Sequence, residues 1–240
     1  MWKLFIPLVV LAVPAFAQER ATAYEALRVV SSQFGRQSVN HVISVTGSNG
    51  NPQPETWKVM IDDPQARGGV REVEVADGRI SSERTPVRAV AGSSEGATIN
   101  TKRLNLDSSG AFTVASHTAE KSGTSFQTAS YTLRTDESGD PMWIVTLQNG
   151  SRPVGTIYVG ANRGNVTRTE GMFAGANMND IETAADVREE HEHHDGRNIL
   201  DKTKSTISHS FWVAQHEAKG IFERVKRSFG DFIGGDDDGD

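Results

Sequence analysis

The chain has 240 residues, a formal net charge of −6 and no cysteine. Without thiols, disulfides, thiolate catalysis and Cys-ligated zinc are excluded, so the fold has to be held by its core. Residues 18–176 carry 16 acidic and 16 basic groups, which leaves no basic footprint for nucleic acid, whereas residues 177–240 carry 15 acidic and 8 basic.

The chain opens MWKLFIPLVVLAVPAFAQER. One Lys, an apolar run from Leu4 to Val13 and the Ala15-Phe16-Ala17 ending predict a secretory signal over residues 1–17, cleaved after Ala17. A spanning anchor would need roughly 20 apolar residues, and no Cys follows the run to carry a lipid. Export to the periplasm or the extracellular space is the expectation.

In ATAYEALRVVSSQFG, Ala23, Ala26, Leu27, Val30 and Phe34 recur at helical spacing and Gly35 stops the pattern. Four strands follow. They lie in SVNHVISVTG, in ETWKVMID with Trp57, Val59 and Ile61 alternating, in GVREVEVADG, and in RISSERT. The separators SNGNPQP, DDPQARGG and DG are turn chemistry, since Gly, Asn and Asp supply positive φ and Pro blocks ladder bonding. Residues 18–86 thus form a helix-plus-four-strand unit, and the small, polar residues that follow make 87–105 a linker.

A second unit is predicted over 106–173. LDSSGAFTVASHTAEKSG offers Asp107 or Ser108 as N-cap, Phe112, Ala115 and Ala119 at helical spacing, and Gly123 as the stop. Gly110, Thr113 and Val114 would also suit a hairpin strand. Strands follow in SFQTASYTLRT, MWIVTLQ, VGTIYVG and NVTRTE. Trp57 and Trp143 lie 86 residues apart, as do Ala26 and Phe112, and one offset shared by helix and strand argues for an internal duplication of about 70 residues. The two tryptophans read as core residues of inward strand faces rather than as ligand platforms. The outward positions include Lys58, Arg71, Glu72, Glu74, Thr132 and Arg134.

A helix opened by LDSSGAF, a W-x-V-x-L strand and the ending IYVGANRGNV resemble the PepSY and PepSY-like family. The first copy, with VEVADGRI, has a shorter turn. This resemblance implies an exported or envelope module that binds or inhibits peptidases, and tandem units of this kind are similar to the beta-lactamase inhibitory protein type of fold. No peptidase domain accompanies the repeats here.

No G-x-S-x-G elbow or phosphate loop is present, so no catalytic residue and no cofactor is assigned. REEHEHHDGRN sets His191, His193 and His194 among carboxylates, a set that could ligate zinc, nickel or copper, but H-E-x-x-H is absent. The same imidazoles would make this acidic stretch, 174–197, pH-sensitive. Over 198–233 a helical stripe includes Phe211, Ile221, Phe222, Val225, Phe229 and Phe232. Three uses compete for it: packing on the body or on a second copy, docking a protein partner, or lying on a membrane surface with Lys219, Arg224, Lys226 and Arg227 near lipid phosphates. Residues 234–240 read as an acidic tail.

The fold class expected is α+β, two tandem helix-plus-four-stranded antiparallel sheet units with a C-terminal amphipathic helix. The function expected is that of an exported non-catalytic binding module with a protein partner. The alternative is a structural or membrane-peripheral envelope protein acting through the C-terminal helix.

Overall fold

A computed structural model describes residues 20–86, 97–172 and 219–234. Helix α1, Ala23–Phe34, opens on a capping box in which the Thr22 side chain accepts from Glu25 N and the Glu25 carboxylate accepts from Thr22 N at 2.7 Å. It ends at Gly35, whose φ of +86° leaves the helical region. One short turn, Arg36–His41, leads into β1, Val42–Gly50, and then β2, Thr56–Asp62, β3, Val70–Ala76, and β4, Arg79–Arg84. Helix α2, Ser108–Lys121, is capped by Asp107, and β5 to β8 follow as Thr128–Thr135, Pro141–Asn149, Arg152–Gly160 and Val166–Glu170.

All eight strands form one antiparallel sheet in the order β4-β3-β2-β1-β5-β6-β7-β8. The expectation of two sheets, one per unit, is corrected here. β1 and β5 pair with each other, Val45 opposite Leu133 and Thr46 opposite Thr132. A separate four-stranded sheet would leave each of these apolar strands with an open edge, a row of unpaired N–H and C=O groups, and pairing the two removes both edges. The order reads symmetrically about this seam.

One face of the sheet is covered by helices, α1 over β2 to β4 and α2 over β6 and β7. The inward residues of the strands, Val45, Trp57, Val59, Val73, Leu133, Trp143, Val145 and Ile157 among them, are essentially solvent-free. Trp57, Tyr131 and Trp143 meet at the seam with ring centroids 5.7 to 6.4 Å apart. Each indole is also tied to the lead-in of a helix, Trp57 Nε1 donating to Ala21 O and Trp143 Nε1 to Leu106 O, both at 2.8 Å. These acceptors are 85 residues apart, and so are the caps Thr22 and Asp107. In the helices, then, Ala26 corresponds to Ala111, both buried, and not to Phe112, which is half-buried.

Two further differences concern the connections. Residues 97–105, expected as linker, are built into the core: Ile99 and Leu104 are buried, Ile99 N donates to Val42 O at 2.7 Å, and Thr101–Arg103 forms a short turn. Apolar anchors within a polar stretch account for the difference. The C-terminal helix is a helix over residues 219–225, α3, and a second, α4, Phe229–Gly234, with Lys226 to Ser228 non-helical between them. The predicted signal, the stretch 174–197 with its histidines, Phe211 and residues 235–240 lie outside the described residues.

Candidate functional site: the open face of the sheet

Among the described residues no helix covers the second face of the sheet, and the strands present it by their alternation. In β2, buried Trp57, Val59 and Ile61 leave Lys58 and Met60 half-buried on the other side, and in β6 buried Trp143, Val145 and Leu147 leave Met142, Ile144 and Thr146. Strand register lines these residues up. One row runs Ser82, Glu74, Lys58, Thr46, Thr132, Ile144, Tyr158, Arg168 across all eight strands. At about 4.8 Å per strand it spans roughly 34 Å. A second row runs Arg84, Glu72, Met60, Ser44, Arg134, Met142.

The face changes character along these rows. Its β2 to β4 end is charged and internally paired: Arg84 Nη2 reaches Glu72 at 2.6 Å and Glu74 at 2.9 Å, and Lys58 lies 3.5 Å from Glu72. The middle is hydroxyl-rich, with Ser44, Thr46, Ser130 and Thr132 on the seam strands. At the β6 to β8 end Met142, Ile144 and Tyr158 stand together, and the Arg168 guanidinium stacks on the Tyr158 ring 3.8 Å from its centroid. A hydrogen bond with Tyr158, with the charge of Glu170 adding to it, holds the Arg168 pKa above its ordinary value. An apolar and aromatic patch beside an exposed arginine is the composition that protein interfaces favour.

Of the outward residues expected from sequence, Lys58, Glu72, Glu74, Thr132 and Arg134 stand on this face. Arg71 does not. It alternates with buried Val73 and Val75, stacks on Phe34 of α1 with 5.1 Å to the ring centroid, and pairs with Asp63 and Glu83 on the helix side. The hydrogen bond from Arg71, with another from Gln65 N, holds the Asp63 carboxyl below its usual range. Met142, Ile144 and Tyr158 were not singled out by sequence reasoning, although the signal was there: apolar residues at both parities of MWIVTLQ mean that one set cannot face the core.

Two further perturbed groups, Asp107 and Tyr24, lie in the helix layer. Asp107 is buried between the two helix N-termini, where its Oδ1 accepts from Tyr24 N at 3.0 Å and Ser108 N at 2.6 Å. Burial raises its pKa to about 6, opposed by hydrogen bonds from Thr22, Ser108 and Tyr24. Burial likewise raises the Tyr24 phenol well above its ordinary range, with the charge of Asp107 adding to it. These groups close a cap and do not line a cleft. A groove of about 1020 Å³ lies between α1 and the β3–β4 turn, lined by Arg28, Arg36, Arg79, Ile80 and Glu83. No group of three or more His, Cys, Asp or Glu among the described residues is placed to hold a metal.

Comparison of the chain with protein-family models, with curated proteins and with solved structures found no match.

The C-terminal stripe, as far as it is described, lies on the body: Phe222 and Phe229 are buried, and Ile221, Val225 and Phe232 are half-buried against the same core. Of the three uses weighed for these five side chains, the one realised in this conformation is packing on the chain's own helix layer. No helix among the described residues is long and apolar enough to cross a membrane.

Proposed function

We propose that the chain is an exported, non-catalytic binding module that takes a protein partner on the open face of its sheet. The observation that carries this reading is that, among the described residues, helices cover one side of the eight-stranded sheet, and its other side ends in the patch Met142, Ile144, Tyr158, Arg168. A merely solvated face would carry polar residues throughout. The PepSY resemblance of LDSSGAF, W-x-V-x-L and IYVGANRGNV points to a peptidase as the partner, bound for inhibition or modulation, and the A-x-A ending of residues 1–17 points to export.

Two related halves, 18–86 and 106–173, underlie the design in this reading. Inward residues 86 apart match in kind, Trp57 with Trp143, Val59 with Val145, Ile61 with Leu147, while outward residues at the same offset do not: Lys58 corresponds to Ile144 and Met60 to Thr146. A duplicated scaffold has kept its core and made one end of its open face apolar. The alternative, action through a C-terminal amphipathic helix at a membrane, is not favoured, since the described apolar side chains of that segment already cover the body.

The test is capture from envelope extract on the immobilised full chain, followed by assay of the retained peptidase activity. The Ile144→Glu/Tyr158→Glu double variant, with an unchanged circular dichroism spectrum, should retain at least tenfold less. Equal retention by the variant, or no peptidase captured by the unaltered chain, would sink the proposal.

A further inference from the structure

Residues 219–234 sit on the body as a bound peptide does. Phe222 rests over Gly164 in the β7–β8 turn, where φ is +65° and a Cβ would collide with the Phe222 ring. Val225 rests on Gly110 of α2, where a Cβ would lie 3.1 Å from it. Phe229 is 2% exposed and meets Tyr24 edge-on, centroids 5.1 Å apart. Phe232 lies 5.6 Å from Tyr24, with the Arg227 and Arg28 guanidinium groups 4.3 and 5.6 Å from its centroid.

Between the anchors the contact is made by backbone. Arg227 N donates to Asn105 O and Phe229 N to Leu104 O, each at 2.9 Å. The Tyr24 hydroxyl lies 2.9 Å from Arg227 O and 3.0 Å from Leu104 O, sharing one proton between an acceptor on each side. Extended peptides are recognised through main-chain bonds and helical ones through apolar anchors in a groove, and this segment uses both. The opposite side of the segment, Lys219, Glu223, Arg224 and Lys226, is exposed. In sequence, 46 residues, 173–218, separate the body from this segment, so the interface is non-covalent and has its own equilibrium.

We infer that the groove between Tyr24, Leu104, Asn105, Gly110 and Gly164 is a peptide-recognition site for basic amphipathic segments with the anchor pattern F-x-x-V-x-x-x-F-x-x-F, and that residues 219–234 of the same chain are its resident ligand. The inference does not rest on the open face, which lies on the other side of the sheet. It also makes two uses of the segment mutually exclusive, because the anchors that fill the groove are those that a lipid surface would need.

The experiment uses the full chain with a specific protease site introduced between residues 185 and 205. After cleavage the C-terminal fragment should co-elute with the body, and excess labelled synthetic peptide 219–234 should exchange into its place. A Phe229→Ala peptide should compete at least tenfold less well, and a Lys226→Ala peptide, altered on the exposed side, within twofold of the original. Immediate separation of the fragment, no exchange of the labelled peptide, or equal competition by the Phe229→Ala peptide would each overturn the inference. So would release of the fragment by anionic phospholipid vesicles but not by peptide, which would assign the segment to a lipid surface.

Discussion

At the scale of single residues, Asp107 carries more of the fold than its place in a loop suggests. One oxygen caps both helices, since Tyr24 N belongs to the first turn of α1 and Ser108 N opens α2. Its neighbour Ser108 extends the junction, its Oγ accepting from Ala23 N at 3.0 Å and donating to Gln53 Oε1 at 2.7 Å. Asp107→Ala should cost about 2 to 3 kcal/mol, a lost N-cap together with buried N–H groups left without an acceptor. Asp107→Asn keeps an acceptor oxygen and should cost much less. The pH dependence separates charge from capping. The folded carboxyl has its pKa at about 6, above the ordinary 3.8, through burial first and the charge of Glu25 among the lesser causes. Between those two values the native state holds more protons than the unfolded state, so this group's contribution to stability is fully present below about pH 4 and falls as pH rises toward 6. Urea midpoints taken every half unit from pH 4 to 7 should show that decline in the unaltered protein and a flatter profile in Asp107→Asn. Identical profiles would show that the carboxyl is not the group that titrates.

At the scale of elements, the tryptophans do the work of joining helix to strand. Each indole fills the inner face of its strand and donates to the carbonyl just before a helix, at Ala21 or Leu106. Trp57→Phe deprives the half-buried Ala21 carbonyl of its donor, Trp143→Phe strands the buried Leu106 carbonyl, both leave a small void, and each should cost about 2 kcal/mol. Because the two sites are alike, the costs measured by chemical denaturation should agree to within about half a kcal/mol; a difference above 1.5 would show that only one indole has this role. The inward strand faces were legible from period-two alternation, and α1 from its stripe, its cap and Gly35. Partner choice was not: nothing in the alternation of Val42–Gly50 says that its second neighbour is Thr128–Thr135, because pairing edges are backbone. Arg71 was misassigned because a guanidinium can alternate with valines and still reach the rim of the core, stacking on Phe34. The break at Lys226 to Ser228 was invisible for a related reason. Periodicity reports which side of a helix is apolar, while the break arises because Arg227 N, Phe229 N and Arg227 O bond to the body. Of the candidate site, the polar end was read from sequence, and the apolar end was written in Met142 and Ile144 but needed the register to bring Tyr158 and Arg168 beside them.

At the scale of the whole molecule, the question is whether the two halves can unfold separately. Their seam is a ladder from Ser44 opposite Arg134 to Gly47 opposite Tyr131 that resumes, past a shift of register, at Gly50 opposite Ala129, and beneath it Trp57 of one half touches both Tyr131 and Trp143 of the other. Burying three such rings is worth on the order of 10 kcal/mol in transfer free energy, comparable with the net stability of a domain. Separating the halves would expose that cluster and two strand edges together, so no half-unfolded state should be populated. Trp57→Phe and Trp143→Phe, each made with Trp2 and Trp212 also replaced by Phe, provide the test, because each then leaves one seam indole as the sole tryptophan reporter of its own half. Urea unfolding followed by tryptophan fluorescence in the two variants, and by far-ultraviolet circular dichroism in each, should give transitions that coincide within each variant, with neither half melting first. Segment 219–234 is held outside the seam, so its amides at Arg227 and Phe229 should exchange with solvent faster than those of β1 and β5 while the sheet still melts as one. Two resolved transitions, one per indole, would show that the halves are independent and that the pairing of β1 with β5 adds little to their stability.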